Sequence, residues 1–171
     1  ILAVGRFNDD CKGFDLLVKA FNLVKDNEWC LFFAGGTQED GQYLLDLSFD
    51  HKKSKIVFLG AVKDMDYLYA RAGIFVMPSR SEGFPNALAE ALVAGCCCVS
   101  FDFIAGPRDL ISNGVNGLLV EPENISELSR TIDLLIDDSE IRSYYSLNAL
   151  NARIKLDSSH IANRMVEFLI N

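Results

Sequence analysis

The stretch Ile74-Phe75-Val76-Met77-Pro78-Ser79-Arg80-Ser81-Glu82-Gly83-Phe84-Pro85-Asn86-Ala87-Leu88-Ala89-Glu90-Ala91-Leu92 reads as strand, loop and helix in immediate succession. Its first four residues are apolar and suited to a strand. Pro85 suits the first helical position, where a missing N–H costs nothing, and predicts a helix over 85–94. The loop carries Glu82, and Glu90 follows eight positions later on an otherwise apolar helix. A carboxylate there is expensive to bury without a partner. Helical side chains lean toward the N-terminus, which carries Glu90 back toward the loop of Glu82. Gly83 lets the backbone turn sharply or come close to a ligand. The free N–H groups of the first helical turn, around Phe84, Asn86 and Ala87, form a ready site for an anion.

The same unit recurs on both sides of this stretch. Short apolar runs at 1–4, 30–34, 56–59, 74–77, 97–101 and 117–120 read as strands. Helical patterns separate or follow them at 14–24, 41–49, 64–72, 85–94, 108–112, from Ser126 onward, 140–154 and 158–170. Runs that are apolar on both faces and joined by helices predict an α/β fold: a Rossmann-like doubly wound parallel sheet of about six strands with helices on both faces. Residues 1–171 are the size of one such domain. Ligands of these folds bind beyond the carboxyl ends of the strands. There the chain places Gly5-Arg6, Gly35-Gly36, Gly60, Ser79 to Glu82 and Asp102 to Gly106.

Gly5-Arg6-Phe7 with Lys12-Gly13 follows the first strand. Arginine offers phosphate a planar fork and lysine a compact charge. Two cations at one crevice would offset a diphosphate and stabilise it as a leaving group. Solvated surface charges are the alternative. The turn is neither the G-x-G-x-x-G of dinucleotide binding nor a G-x-x-x-x-G-K-[ST] phosphate loop, which argues against hydride transfer and triphosphate hydrolysis. Donors for phosphates beside carboxylates that accept from hydroxyls are what a nucleoside diphosphate sugar requires. The alternative for the two glutamates is a helix N-terminal charge at Glu82 and a core ion pair at Glu90.

Half of the 171 residues are hydrophobic and the formal net charge is −8, which argues against nucleic acid or an anionic membrane as a surface partner. The five cysteines, at 11, 30 and 96–98, have no zinc-type spacing and read as buried reduced thiols of a cytoplasmic protein. No signal peptide or transmembrane stretch is visible. The chain opens inside a strand without Met, which is expected of a piece of a longer protein. His51, His160, Trp29 and Phe32-Phe33 read as surface or packing residues, and Asp9-Asp10 as a solvated turn.

Five segments together resemble the C-terminal, donor-binding domain of group 1 (family 4) retaining glycosyltransferases of the GT-B type. They are Gly5-Arg6 with Lys12-Gly13, Phe33-Ala34-Gly35-Gly36, Phe58-Leu59-Gly60, Pro78-Ser79 through Glu90, and Gly114 to Val120, in the family's order. The resemblance implies that Arg6 and Lys12 hold the diphosphate and that Glu90 accepts from the ribose hydroxyls. It implies that Glu82 meets the donor sugar near the reacting carbon, as a positioning group rather than a covalent nucleophile. Backbone around Gly83, Phe84, Pro85, Asn86 and Ala87 would bind phosphate or sugar. The turn Gly60-Ala61-Val62 would meet the base edge, with Gly5, Gly35 and Gly36 giving room.

The resemblance further implies a UDP-hexose donor, a hydroxyl acceptor in polysaccharide or glycolipid assembly, no cofactor and no essential metal. It implies an N-terminal acceptor domain outside this chain, which would carry any contact with the inner face of a membrane. The isolated chain is then expected to bind donor weakly and to transfer nothing. Ala105-Gly106-Pro107-Arg108-Asp109 resembles a variant of transferases that build surface polysaccharide, where Arg108 lies near the donor or is a surface charge. Asp109 stands where the family often has Glu and is given no role. The alternatives are another GT-B chemistry such as a nucleotide-sugar epimerase, or a non-catalytic nucleotide-binding module. A receiver-type module is disfavoured because the first strand ends in Gly5-Arg6 rather than in acidic residues.

Overall fold

The structure, a computed structural model, describes residues 1–150 apart from Asn8, Gln38 and Ala105. Six parallel strands form a single sheet: β1 Leu2–Val4, β2 Leu31–Ala34, β3 Ile56–Phe58, β4 Phe75–Met77, β5 Cys98–Phe101 and β6 Leu118–Val120. Their order is β3-β2-β1-β4-β5-β6. The chain therefore builds outward from β1 in one direction, returns, and builds outward in the other. Because parallel crossovers are right-handed, this reversal puts the two sets of connecting helices on opposite faces. Helix α1 (Phe14–Leu23) follows β1, and α2 (Gln42–Asp46) and α3 (Asp50–Lys53) follow β2. On the other side of the reversal come α4 (Met65–Arg71), α5 (Asn86–Val93) and the short α6 (Pro107–Leu110). After β6, α7 (Ile125–Asp137) returns to pack along α1, and α8 (Ser139–Ala149) lies against α5 and β5. The helix expected at 158–170, with His160, lies outside the described residues.

All six predicted strands are present, each with bounds shifted by about one residue, and the doubly wound class holds. Two helical expectations are corrected. The weak helix expected over 41–49 is shorter, Gln42–Asp46, and a separate short helix, Asp50–Lys53, follows beyond it; between them, at Leu47 to Phe49, Asn22 of α1 takes over the backbone. The Asn22 amide donates to the Leu47 carbonyl (2.9 Å) and its oxygen accepts from the Phe49 N–H (2.9 Å). Pro85 is not the first helical residue but the cap before it, its carbonyl accepting from the N–H groups of Leu88 and Ala89. Lys12-Gly13 stands at the start of α1, with Gly13 as its cap, accepting from the N–H groups of Leu16 and Leu17 (3.0 and 3.2 Å). Asp10–Lys12 is a 3-10 turn, and Gly13 reverses the chain between that turn and α1.

The core is apolar on both faces of the sheet. Phe7, Phe14, Phe33 and Phe58 form one aromatic cluster under the carboxyl ends of β1–β3, with ring centroids 5.0–6.0 Å apart. Cys96, Cys97 and Cys98 are buried, and burial pushes each thiol up, so they behave as small core residues. Cys11 is exposed and Cys30 half-buried, so burial as expected applies to three of the five. Among the described residues no helix is long and apolar enough to cross a membrane.

Two close approaches join the halves of the sheet. Gly13 has φ +64°, and a Cβ there would lie 2.0 Å from the Pro78 carbonyl oxygen, so the loop after β1 touches the loop after β4 backbone to backbone. Arg80 then latches the contact. Its backbone N–H donates to the Cys11 carbonyl (2.7 Å), and its guanidinium donates to the Asp10 carbonyl (2.7 Å) and in a fork to Asp15 of α1 (2.9 and 3.0 Å). Burial alone would raise the Asp15 carboxyl, but Arg80 and Lys19 outweigh it and hold the group below its ordinary value.

Gly13→Ala is expected to lower unfolding free energy by about 2–4 kcal/mol, through left-handed strain plus a backbone clash, measured by urea denaturation. Arg80→Ala is expected to cost about 1–2 kcal/mol at neutral pH. Because Asp15 is held below 3.8, the latch contributes fully above that pH and is lost as pH falls through the depressed value. The gap between Arg80→Ala and the parent should therefore narrow below 3.8, keeping only the share of the bond to the Asp10 carbonyl. An equal gap in urea melts at neutral and strongly acidic pH would show that the latch is not ionic.

Candidate functional site

The reversal between β1 and β4 is the place where a doubly wound sheet leaves a crevice between diverging loops. Two side chains predicted from the sequence meet there. Lys12, at the end of the 3-10 turn, donates through Nζ to Glu82 Oε1 (2.8 Å) and Oε2 (3.0 Å). Gly5 makes this reach possible, since a Cβ at Gly5 would stand 3.1 Å from Lys12 Cδ. Ser79, buried at the end of β4, donates from Oγ to Glu82 Oε1 at 2.7 Å. The ion pair is neither sealed nor fully exposed, with Lys12 21% and Glu82 13% accessible. An ionised carboxylate offers about four lone-pair sites, so three hydrogen bonds leave Glu82 room to accept one more. Lys12 likewise retains donor capacity.

Glu90 is placed differently from its expected burial. It is exposed, and its described partner is not a cation but a phenol: the Tyr69 hydroxyl donates to Oε2 at 2.9 Å. Neither the core ion pair nor a contact with Glu82 is seen. Arg6 is also separate. It is 78% accessible and turns to Asp9 at 3.1 Å, while Asp9 caps the 3-10 turn by accepting from the Cys11 N–H. Of the sequence-predicted polar side chains, the structure thus joins Lys12 to Glu82 and leaves Arg6 and Glu90 with other partners on the surrounding loops.

The loop leading into α5 is open. Gly83, Phe84 and Asn86 are exposed, and a Cβ at Gly83 would meet nothing within 4 Å. The chain bends at Gly83-Phe84, and the bare backbone of Gly83 faces open space. Of the first-turn donors, the Asn86 N–H is taken by the Phe84 carbonyl (2.9 Å) and the Leu88 N–H by Pro85 (3.0 Å). Among the described residues the N–H groups of Gly83, Phe84 and Ala87 have no acceptor, which narrows the anion site to these three.

Gly35 and Gly36 are explained by packing. Added Cβ atoms would stand 2.7 Å from the Gly5 carbonyl oxygen and 2.6 Å from the Phe7 ring, so the room these glycines leave is filled by the protein itself. The Gly60 carbonyl accepts from the Gly35 N–H at 2.8 Å, which fixes the Gly60-Ala61-Val62 turn at the rim, with Ala61 exposed and Val62 half-buried.

Arg108 lies elsewhere. It is clamped on Asp102 through Nε (2.7 and 2.9 Å) and Nη2, beside an open polar hollow of about 680 Å³ at the ends of β5 and β6. An apolar cavity of about 280 Å³ lies between α4 and β1–β2. Neither is lined by Lys12, Glu82 or Glu90. Lys12 and Glu82 lie in an open crevice between the loops that neither cavity reaches.

Ser79, Tyr69 and the choice of Asp15 as the partner of Arg80 were not assigned by sequence reasoning. Ser79 had a local signal, a serine three residues before a glutamate in a loop. Tyr69 had none, since an aromatic residue on a helix stripe reads as core.

The family described as Glycosyl transferases group 1 matches residues 1–152. Among the similar proteins, an uncharacterized glycosyltransferase of Haemophilus influenzae is 33% identical over 144 residues, covering 82% of this chain and 40% of that protein. An N-acetylgalactosamine-N,N'-diacetylbacillosaminyl-diphospho-undecaprenol 4-alpha-N-acetylgalactosaminyltransferase of Campylobacter jejuni is 28% identical, covering 99% of this chain and 46% of the relative. The chain thus spans less than half the length of either relative. Anabaena HepE, solved in complex with UDP-glucose, superposes with a TM-score of 0.84 at 24% identity, over 98% of this chain and 48% of that one, and shares the fold. With a six-stranded parallel sheet in Rossmann order, a loop-and-helix unit carrying Glu82 and Glu90, and a family match over nearly nine-tenths of its length, the chain belongs to the group 1 glycosyltransferases.

Proposed function

We propose that this chain binds the nucleotide end of a UDP-hexose in the crevice between β1 and β4, and serves retaining transfer of that hexose to a hydroxyl acceptor in polysaccharide or glycolipid assembly. The observation that carries the reading is the cluster of Lys12, Glu82 and Ser79 at the reversal of strand order. A lysine held by one carboxylate, with donor capacity to spare, is a cation kept in place for a second anion. A diphosphate entering here takes a share of Lys12, with Arg6 swinging from its exposed pair with Asp9 and the N–H groups of Gly83, Phe84 and Ala87 completing the donor set. Such groups stabilise the charge that builds on a departing diphosphate. They stand in the place of a metal ion, so none is required.

In this reading Glu82 accepts from hydroxyls of the donor sugar and orients it, and Glu90 accepts from the ribose. The backbone at Gly35, Gly36 and Val62 walls the base, while Pro85 and Asn86 hold the helix end in position. The relative from Campylobacter jejuni is named for an alpha linkage made to a saccharide on diphospho-undecaprenol, and HepE binds UDP-glucose. Both support a nucleotide-sugar donor and a saccharide or lipid-linked acceptor. The acceptor is held mainly by a further domain, as the greater length of the relatives supports.

Calorimetric titration with UDP, GDP and ADP tests the site. UDP is expected to bind best, with Lys12→Ala and Glu90→Ala each weakening it about tenfold while the thermal midpoint holds. Unchanged UDP affinity in both variants removes the proposed site. The purified chain is expected to release no sugar to saccharide acceptors from UDP-glucose or UDP-N-acetylgalactosamine, followed by chromatography of the products. Sustained transfer would show that no further domain is needed.

A further inference from the structure

We infer that Tyr69 is a positioning residue for Glu90, holding its carboxylate for a ribose diol; the inference rests on the donor-site reading above. Tyr69 sits on α4, outside every segment that carries the family resemblance, and is 1% accessible. Its ring meets the Phe75 ring of β4 edge-on at 5.8 Å, and its backbone carbonyl accepts from the Cys96 thiol at 3.0 Å. The phenol is therefore fixed from both ends, and its hydroxyl reaches Glu90 Oε2 at 2.9 Å. Burial, and then the hydrogen bond to Glu90, push the phenol far up, so it remains a neutral donor at any physiological pH.

The neutrality of this partner matters. Glu82 faces a lysine, which cancels its charge, whereas Glu90 is anchored by a group that leaves its charge intact. An anchored carboxylate with one oxygen fully free suits two adjacent hydroxyls that both donate. It also binds them without first losing the rotamer freedom of an exposed glutamate. Supporting a binding group from a buried, rigid neighbour is the general way in which such geometry is held.

The test is calorimetric titration of UDP and of 2′,3′-dideoxy-UDP against the parent chain, Tyr69→Phe, Glu90→Ala and the double variant. The phenylalanine keeps the edge contact with Phe75 and removes only the hydroxyl. The parent should prefer UDP by about tenfold or more, and Tyr69→Phe should lose about 3- to 10-fold in UDP affinity while binding of the dideoxy nucleotide and the thermal midpoint hold. In the Glu90→Ala background the tyrosine change should have no further effect. A purely structural tyrosine would instead weaken both nucleotides alike, or act equally with and without Glu90, and either result overturns the inference. A parent that discriminates between the nucleotides, with full discrimination kept in Tyr69→Phe, sinks the role of Tyr69 and leaves the donor site standing. A parent that binds UDP without preferring the ribose hydroxyls, or binds neither nucleotide, sinks the role of Glu90 and this inference with it.

Discussion

The missing side chain of Gly13 is the constraint on which the site depends. The loops after β1 and β4 belong to strands that are neighbours in the sheet but 70 residues apart in sequence at the Lys12–Glu82 contact. They meet only because no Cβ stands between Gly13 and the Pro78 carbonyl. Once the backbones touch, the rest follows from short reach. The Arg80 N–H finds the Cys11 carbonyl, its guanidinium finds Asp15, and Lys12 lies across Gly5 to Glu82. Every one of these contacts crosses the strand-order reversal, so the site and the seam of the fold are one structure.

The two glutamates that look alike in sequence are given opposite electrostatic roles. Glu82 has a lysine and a serine, a local charge near zero, and little access to water. Glu90 is exposed, keeps its charge, and is steadied by a neutral phenol. A carboxylate already neutralised accepts one well-placed hydroxyl with little rearrangement of charge. A carboxylate left charged is the stronger acceptor and repels the diphosphate, so it suits the part of a nucleotide that lies away from the phosphates. The division agrees with a sugar at Glu82 and a ribose at Glu90. It also explains how a chain of net charge −8 can serve an anionic ligand: cations are needed at one loop, not over the surface.

The fold was legible because each strand is a short apolar run set off by Gly, Pro or charge, and because a parallel sheet buried on both faces leaves no alternation to misread. What failed was local. Residues 41–49 have helical spacing, but the helix ends at Asp46, where the tertiary hold of Asn22 on Leu47 and Phe49 takes the backbone over. Pro85 is compatible with the cap and with the first turn, and propensity does not separate them. At the site, residue types were readable and partners were not. Lys12 and Glu82 were named separately, but their pairing depends on strand order. Gly35-Gly36 read as space for a ligand, and the Gly5 backbone and the Phe7 ring fill that space. Tyr69 was unreadable because its one polar atom is what matters, and sequence shows only the ring's place in an apolar stripe.

The openness of the crevice carries a chemical consequence. Arg6, Gly83, Phe84 and Asn86 are exposed, and neither described cavity reaches Lys12 or Glu82. Sites that perform chemistry on a small ligand usually bury most of its surface, and a reactive sugar carbon left in water would be captured by water as readily as by an acceptor hydroxyl. In the reading proposed above, the described loops hold a diphosphate and orient a ribose, and they cover only one side of such a ligand. The second wall in that reading comes from outside these loops, in keeping with relatives more than twice the length of this chain. The crevice is then a binding half, with donors fixed by the sheet and acceptors fixed by Ser79 and Tyr69.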